Sequence, residues 1–324
     1  MSEYYDQWVR KVGLFVVKSL QQDTGGDAID LSEFHIKFSV QNADIESPNS
    51  AVIRVYNLSK QTLRTLAGSG EYGGVVLNAG YEGGNYGIIF RGTIKQFKIG
   101  RENATDTYLD LFASDGDIGY NQGIVNTSLA KGSTPIQQMV ESTKAMPEMG
   151  IDYGSLTVTK QNVPSIRGTV LMGMARARLR NVVSYLDAGW SIENGKVLIT
   201  DNSGYRDGEA VEINVGTGLV GTPEQTDGGI KLRCLLNSKI RIGGRVKLNN
   251  DELIQTLQAN PDAAPIAYNQ WAGFQFLAAL SPDGMYRAFS VEHEGDTRGN
   301  AWYSNLICLS VNETVPQNKS VNPN

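Results

Sequence analysis

The sequence predicts a mainly β protein with a small α+β insert. Three observations carry this. Segments at both ends alternate apolar and polar residues with the period of two that marks a half-buried strand. The 36 glycines in 324 residues exceed ordinary usage without any repeat, which implies many turns. The middle of the chain switches to helical spacing.

Residues 1–115 read as the first β domain. Phe34, Ile36, Phe38 and Val40 alternate with His35, Lys37 and Ser39, and Ala51–Asn57 forms a further strand. Ser59 is placed to cap a short helix through Leu63 and Leu66 that stops at Gly68. Three more strands follow, in VVLNAGYEGG, GIIFRGTIKQFKI and DTYLDLFAS. An antiparallel barrel or sandwich is the natural packing of such strands.

Residues 116–205 read as the α+β insert. Thr134-Pro135 starts one helix, with Ile136, Met139 and Val140 on its apolar face. A longer helix is expected over about 166–188, buried through Leu171, Ala175, Leu179, Val182, Val183 and Leu186 and capped by Gly189. Asn194-Gly195 then sits at the turn of a hairpin.

Residues 206–250 and 284–312 read as a second β domain. Ile230, Leu232, Cys234 and Leu236 share one face, IRIGGRVKL continues the pattern, and a hairpin closes the region. Residues 251–283 interrupt it with helical and loop character, and 313–324 form a polar, flexible tail. Aligned without gaps, residues 94–113 and 291–310 match Arg101 with Arg298, Asn103 with Asn300, Ala104 with Ala301 and Leu109 with Leu306. Both segments are strand, polar turn and strand, so a divergent tandem repeat is expected.

The net charge of −5, with both signs interspersed, argues against a generally basic nucleic-acid surface. No signal peptide or membrane-spanning run is read in the sequence, which points to cytosolic synthesis and no membrane anchor. Two cysteines, Cys234 and Cys308, occupy apolar strand phases and suit core packing rather than a disulfide framework or a nucleophile. Two histidines, His35 and His293, have no partner at metal-ligand spacing. Gly68–Gly73 matches G-x-G-x-x-G by letter, but follows a helix and precedes a strand, the reverse of the order a dinucleotide needs. DNSGYRDGE lacks calcium-loop spacing and reads as an acidic turn. Arg176, Arg178 and Arg180 spread over the solvent side of their helix. No catalytic, cofactor or metal residue is assigned.

One run tempts: Glu292, Glu294 and Asp296 beside His293 could be read as the acid/base site of a cell-wall hydrolase. They lie in one short stretch beside a turn, where water keeps carboxylates ordinary, so the hairpin reading is preferred.

Three segments carry a resemblance: AVIRVYNLSKQTLRTL, GTGLVGTPEQTDGGIKLRCLLNSKIRIGGRVKLNN and VEHEGDTRGNAWYSNLICL. Together they resemble the baseplate hub proteins of tailed bacteriophages, including the phage late-control D proteins, over about residues 10–312. The resemblance implies two tail-tube-like antiparallel β-barrels in tandem and a homotrimer whose ring adapts a three-fold central spike to a six-fold tail tube. It implies as partners the tail spike protein, the tail tube protein, the C-terminus of the tape-measure protein and the baseplate wedge, with DNA passing through the lumen. The site would be the virion tail baseplate, assembled in the host cytoplasm, and no enzyme activity or cofactor is expected. A tube or tube-adaptor protein is the alternative structural role. Arg101, Arg298, Trp302, Trp271 and Phe274 are the candidate inter-subunit contacts.

Overall fold

The computed structural model describes residues 7–20, 28–68, 70–144, 146, 151–159, 163–226, 229–248 and 284–310. The first region contributes β1 (Arg10–Val17), β2 (Ala28–Asp30), β3 (Ile36–Ala43), β4 (Ser50–Tyr56), α1 (Lys60–Gly68), β5 (Gly74–Tyr81), β6 (Gly87–Arg101) and β7 (Thr107–Ser114). Alternation does what it predicts: Ile36, Phe38 and Val40 of β3 are buried with Ile53, Val55, Leu77, Leu109 and Leu111. Ser59 Oγ accepts from the Thr62 amide at 3.0 Å and caps α1, whose Leu66 reaches the same core. Strand β1, in the stretch KVGLFVV, fills the sheet beside β5.

The insert comprises α2 (Asp117–Gln122), β8 (Ile124–Leu129), α3 (Pro135–Thr143), β9 (Asp152–Thr157), β10 (Thr169–Met174), α4 (Ala175–Tyr185), β11 (Ala188–Glu193) and β12 (Lys196–Asp201). Thr134 and Gln137 form a reciprocal cap on α3. Asn194 (φ 54) and Gly195 (φ 73) make the expected tight turn between β11 and β12. The long helix is shorter than predicted. Thr169–Met174 pairs antiparallel with β8 instead, and Gly173, at φ 115, breaks the chain just before the helix. Leu171 is buried as predicted, but from a strand. At the other end, Asp187 (φ 55) ends the helix and Gly189 already lies in β11.

The last region holds β13 (Val211–Ile213), β14 (Leu219–Thr226), β15 (Gly229–Leu235), β16 (Arg245–Leu248), β17 (Met285–Asp296) and β18 (Trp302–Leu309). Of IRIGGRVKL only the last four residues are strand; Ile240 and Ile242 enter the core from the preceding turn. Cys234 and Cys308 sit in that core among Ile230, Leu232, Tyr286 and Leu306. The sheet runs β14-β15-β18-β17-β3-β4-β7-β6-β5-β1-β2, with β16 on β17 and β13 on β16. The protein is thus mainly β around one large, chiefly antiparallel sheet. Among the described residues this ladder does not close on itself.

The ladder repeats. From its tip, the β6–β7 hairpin pairs six rungs, Arg101 opposite Thr107 to Gln96 opposite Phe112. It then skips Lys95 and resumes at Ile94 opposite Ala113. The β17–β18 hairpin pairs six rungs, Gly295 opposite Trp302 to Ser290 opposite Ile307, skips Phe289 and resumes at Ala288 opposite Cys308. A bulge at the same rung bends both strands alike. The flanking strands agree. Tyr56 of β4 faces Tyr108 of β7, and Leu235 of β15 faces Tyr303 of β18. Gly74 of β5 faces Thr93, and Arg245 of β16 faces Arg287. Strands β3-β4-β7-β6-β5 therefore correspond to β14-β15-β18-β17-β16. The ungapped sequence alignment is shifted by this: Arg101 corresponds to Gly295, and Arg298 lies in the turn.

Candidate assembly surfaces

The two repeats meet where β17 lies antiparallel along the outer edge of β3, from Ser290 opposite Ala43 to Asp296 opposite Lys37. The three carboxylates of the C-terminal hairpin are spent on this joint and its flank. Glu292 Oε1 accepts from Ser39 Oγ at 3.2 Å, and Glu294 pairs with Arg233 at 2.8 Å. Asp296 lies 2.7 Å from His35 Nε2 and 3.7 Å from Lys37 Nζ. Partial burial opposes ionisation of Asp296, but the Arg298 amide and His35 outweigh it and hold the carboxyl below its usual range. A proton-donating acid needs the opposite shift. His293 points to the other face, buried, with Nδ1 2.8 Å from Ser304 Oγ. Burial, and then Arg241, push its pKa down to about 3, so it is neutral.

A matched side-chain cluster marks each repeat. Arg54 Nε donates to Asp110 Oδ1 at 2.7 Å and lies over the Tyr108 ring at 3.9 Å. Arg233 Nε donates to Asn305 Oδ1 at 2.7 Å and lies over the Tyr303 ring at 5.0 Å. These are equivalent rungs, and sequence reasoning missed them because the matching residues lie on neighbouring strands.

The hairpin tips come together around an open polar cleft of about 600 Å³ lined by Glu33, His35, Lys37, Tyr56, Asp106 and Arg298. Arg298 lines this cleft and Arg101 sits just outside it, before Glu102; both are exposed, and neither guanidinium makes an ion pair among the described residues. Trp302 lies elsewhere. It is 1% exposed, packed edge-on against Phe38 at 5.5 Å in the first core, so its ring is occupied within the subunit. This corrects its selection as a surface contact: position 302 falls on the inward phase of β18. Trp271 and Phe274 lie outside the described residues.

A buried ionic seam fastens the insert to the joint. Arg287 pairs with Asp44, both side chains more than nine-tenths buried, and its Nη1 donates to the Asp201 carbonyl at 2.7 Å. Ser191 Oγ donates to Asp44 at 2.9 Å, and Asn49 Nδ2 to the Ile192 carbonyl at 2.7 Å. Glu193 is held by Arg206 and Arg241. Asp115 accepts from the Gly195 amide at 2.8 Å. Burial pushes the Asp115 carboxyl up to about 7 against the pull of the Gly195 and Asn194 amides. The one sequence signal here was Arg287, a charge within the apolar run of β17. The helix arginines are tied down too: Arg176 to Asn121 at 2.8 Å, Arg178 to the Met172 carbonyl at 2.7 Å and Arg180 to Glu46.

Other surfaces are open. The outer half of β6 exposes Lys95, Gln96, Lys98, Ile99 and Arg101. Ile99 is 57% exposed where its counterpart His293 is 2% exposed. On the insert, Ile124, Val170 and Met172 present an apolar patch on the β8–β10 ribbon. No metal-holding group of histidine, cysteine or carboxylate side chains occurs among the described residues.

Similarity agrees with this architecture. The chain is similar to the tail protein of Neisseria meningitidis MC58, at 8% identity and a TM-score of 0.56 over 95% of this chain and 98% of that one. It is similar to the 43 kDa tail protein of prophage MuSo2 from Shewanella oneidensis, at 7% identity and 0.56 over 95% and 99%. An E. coli type VI secretion component, c3393, gives 12% and 0.50 over 87% and 74%. No curated protein matches. The family model described as baseplate hub gp41 matches residues 16–253, and the chain belongs to that family.

Proposed function

We propose that this chain is the ring-forming hub subunit of a phage baseplate, a homotrimer that joins a three-fold central spike to a six-fold tail tube. A structural role in the phage tail baseplate follows from the family; the ring and its partners are the finer reading. The observation that carries it is the repeated five-strand ladder with its bulge at the same rung. A six-fold partner needs six near-equivalent surfaces, and three copies of a two-repeat chain supply them. In this reading residues 1–115 form one tube-like barrel domain, 206–250 with 284–312 the other, and 116–205 the insert on the spike side. The c3393 protein, to which this chain is similar in fold, is described as structurally similar to the T4 tail proteins gp27 and gp5. The chain works by shape, without catalysis, as a virion tail component assembled in the host cytoplasm and traversed by DNA. The tape-measure protein and the wedge are its further neighbours.

Light scattering on the purified protein tests this. Three copies of the 35.3 kDa chain give about 106 kDa. A species confined to the monomer or dimer mass at every concentration would reject the ring.

A further inference from the structure

The described residues contain one filled joint and the two unfilled halves of a second. In the filled one, residues 290–296 of β17 lie along the outer edge of β3. The corresponding part of β6, residues 96–102, has no strand on that side among the described residues, because the β5 ladder begins opposite Thr93. The counterpart of β3 is β14, whose outer edge ends the sheet among the described residues. The two open edges lie at opposite ends of the eight-strand run β14-β15-β18-β17-β3-β4-β7-β6.

We propose that the open half of β6 in one copy pairs antiparallel with β14 of the next, in the register that β17 and β3 display. This rests on the ring reading and names its contact. Open strand edges bearing unpaired amides and carbonyls are the surfaces most ready to take another chain. Equivalent rungs fix the partners. Glu292 opposite Gln41 becomes Lys98 opposite Thr226, and His293 opposite Val40 becomes Ile99 opposite Gln225. Glu294 opposite Ser39 becomes Gly100 opposite Glu224.

Side-chain chemistry supports the transfer. The filled joint is crossed by the Ser39–Glu292 hydrogen bond. The counterparts of these residues are Glu224 and Lys98, a carboxylate and an ammonium, so the hydrogen bond becomes an ion pair between copies. Among the described residues the ion pair of Glu224 is a loose, exposed contact with Lys231 at 3.8 Å. Ile99, left open in the subunit, gains the cover that His293 already has. The joint is shorter than its template. In β14 three residues, Gly221–Pro223, stand opposite the single residue Leu232, so pairing covers Glu224–Thr226 and stops at the bulge. Arg101 corresponds to Gly295, which faces Phe38 in the filled joint, so it comes to rest against that bulge.

The test is a disulfide in the full chain carrying Ile99→Cys and Gln225→Cys. The native Cys234 and Cys308 are buried, with burial raising both thiol pKa values, so they stay out of the reaction. Mild oxidation of the trimer should link most chains into covalent oligomers on a non-reducing gel. A control with Ile99→Cys and Val220→Cys, which are not partners, should give about tenfold less. A trimer by light scattering with no more cross-linking than the control overturns this joint and leaves the ring standing. A monomer throughout overturns both. Charge swaps at exposed sites give a second readout that does not depend on the disulfide. Lys98→Glu or Glu224→Lys alone should weaken trimer association by about threefold to tenfold, and the double swap should restore it. Failure of the double swap to restore association counts against the joint.

Discussion

The two repeats have the same ladder and different surroundings. Both hairpins bulge after six rungs, both carry an arginine over a tyrosine, and both begin the next strand at the same rung. Yet the tip of β17 is covered by β3 while the tip of β6 is open, and side-chain exposure follows the cover. His293 is sealed and Ile99 is wet. The backbone pattern therefore sets which rungs exist, and the neighbour of each edge sets which residues those rungs tolerate. A repeat can lose its sequence identity this way while its register persists.

The comparison can be broken at several points. The largest effect should come from Trp302→Ala, which empties the wedge through which the second hairpin enters the first core. A loss of about 3–5 kcal/mol in urea unfolding is expected. A loss below about 1 kcal/mol would mean that the hairpin is not anchored there. Next are the matched arginines. Arg54→Ala strands the buried Asp110 carboxylate and should cost about 3 kcal/mol. Arg233→Ala leaves a neutral Asn305 and a half-exposed Glu294, and should cost less than about 1 kcal/mol. Equal losses would contradict the asymmetry drawn here.

Two buried groups should tilt the stability–pH profile in opposite directions. His293 titrates near 3 when folded and near 6.5 when unfolded, so its contribution holds above 6.5 and is lost as pH falls toward 3. Asp115 titrates near 7 when folded and near 3.8 when unfolded, so its contribution holds below 3.8 and is lost as pH rises toward 7. Melting curves should show His293→Gln flattening the acid limb and Asp115→Asn raising Tm at pH 8 but not at pH 4. The smallest effect on the subunit should come from Arg101→Glu with Arg298→Glu. Both side chains are exposed, and a change within about 0.5 kcal/mol is expected in the monomer fold. Unchanged assembly of that variant would remove both from the contact list.

Much of the fold was legible in the sequence. Strand β3 buries every second residue and turns the others outward, so alternation exposed it directly. The Asn194-Gly195 turn and the Thr134 cap were legible because their chemistry is local. Strand β10 was not, because Leu171 continues the spacing of Leu179 and Val183 and only its pairing with β8 separates the two. The repeat was legible as two hairpins but misaligned by identities such as Arg101 with Arg298; ladder register lies in partners, which one strand does not reveal. The ionic seam was hidden for the same reason, since Asp44, Glu193 and Arg287 are brought together only by the fold.

Single-particle imaging of the assembled protein down its axis addresses the central claim most directly. Two equivalent halves per chain in a three-fold ring predict six similar lobes joined by one unbroken run of strands, with β6 seated on the neighbouring β14. Three lobes with β6 bare to solvent would contradict it.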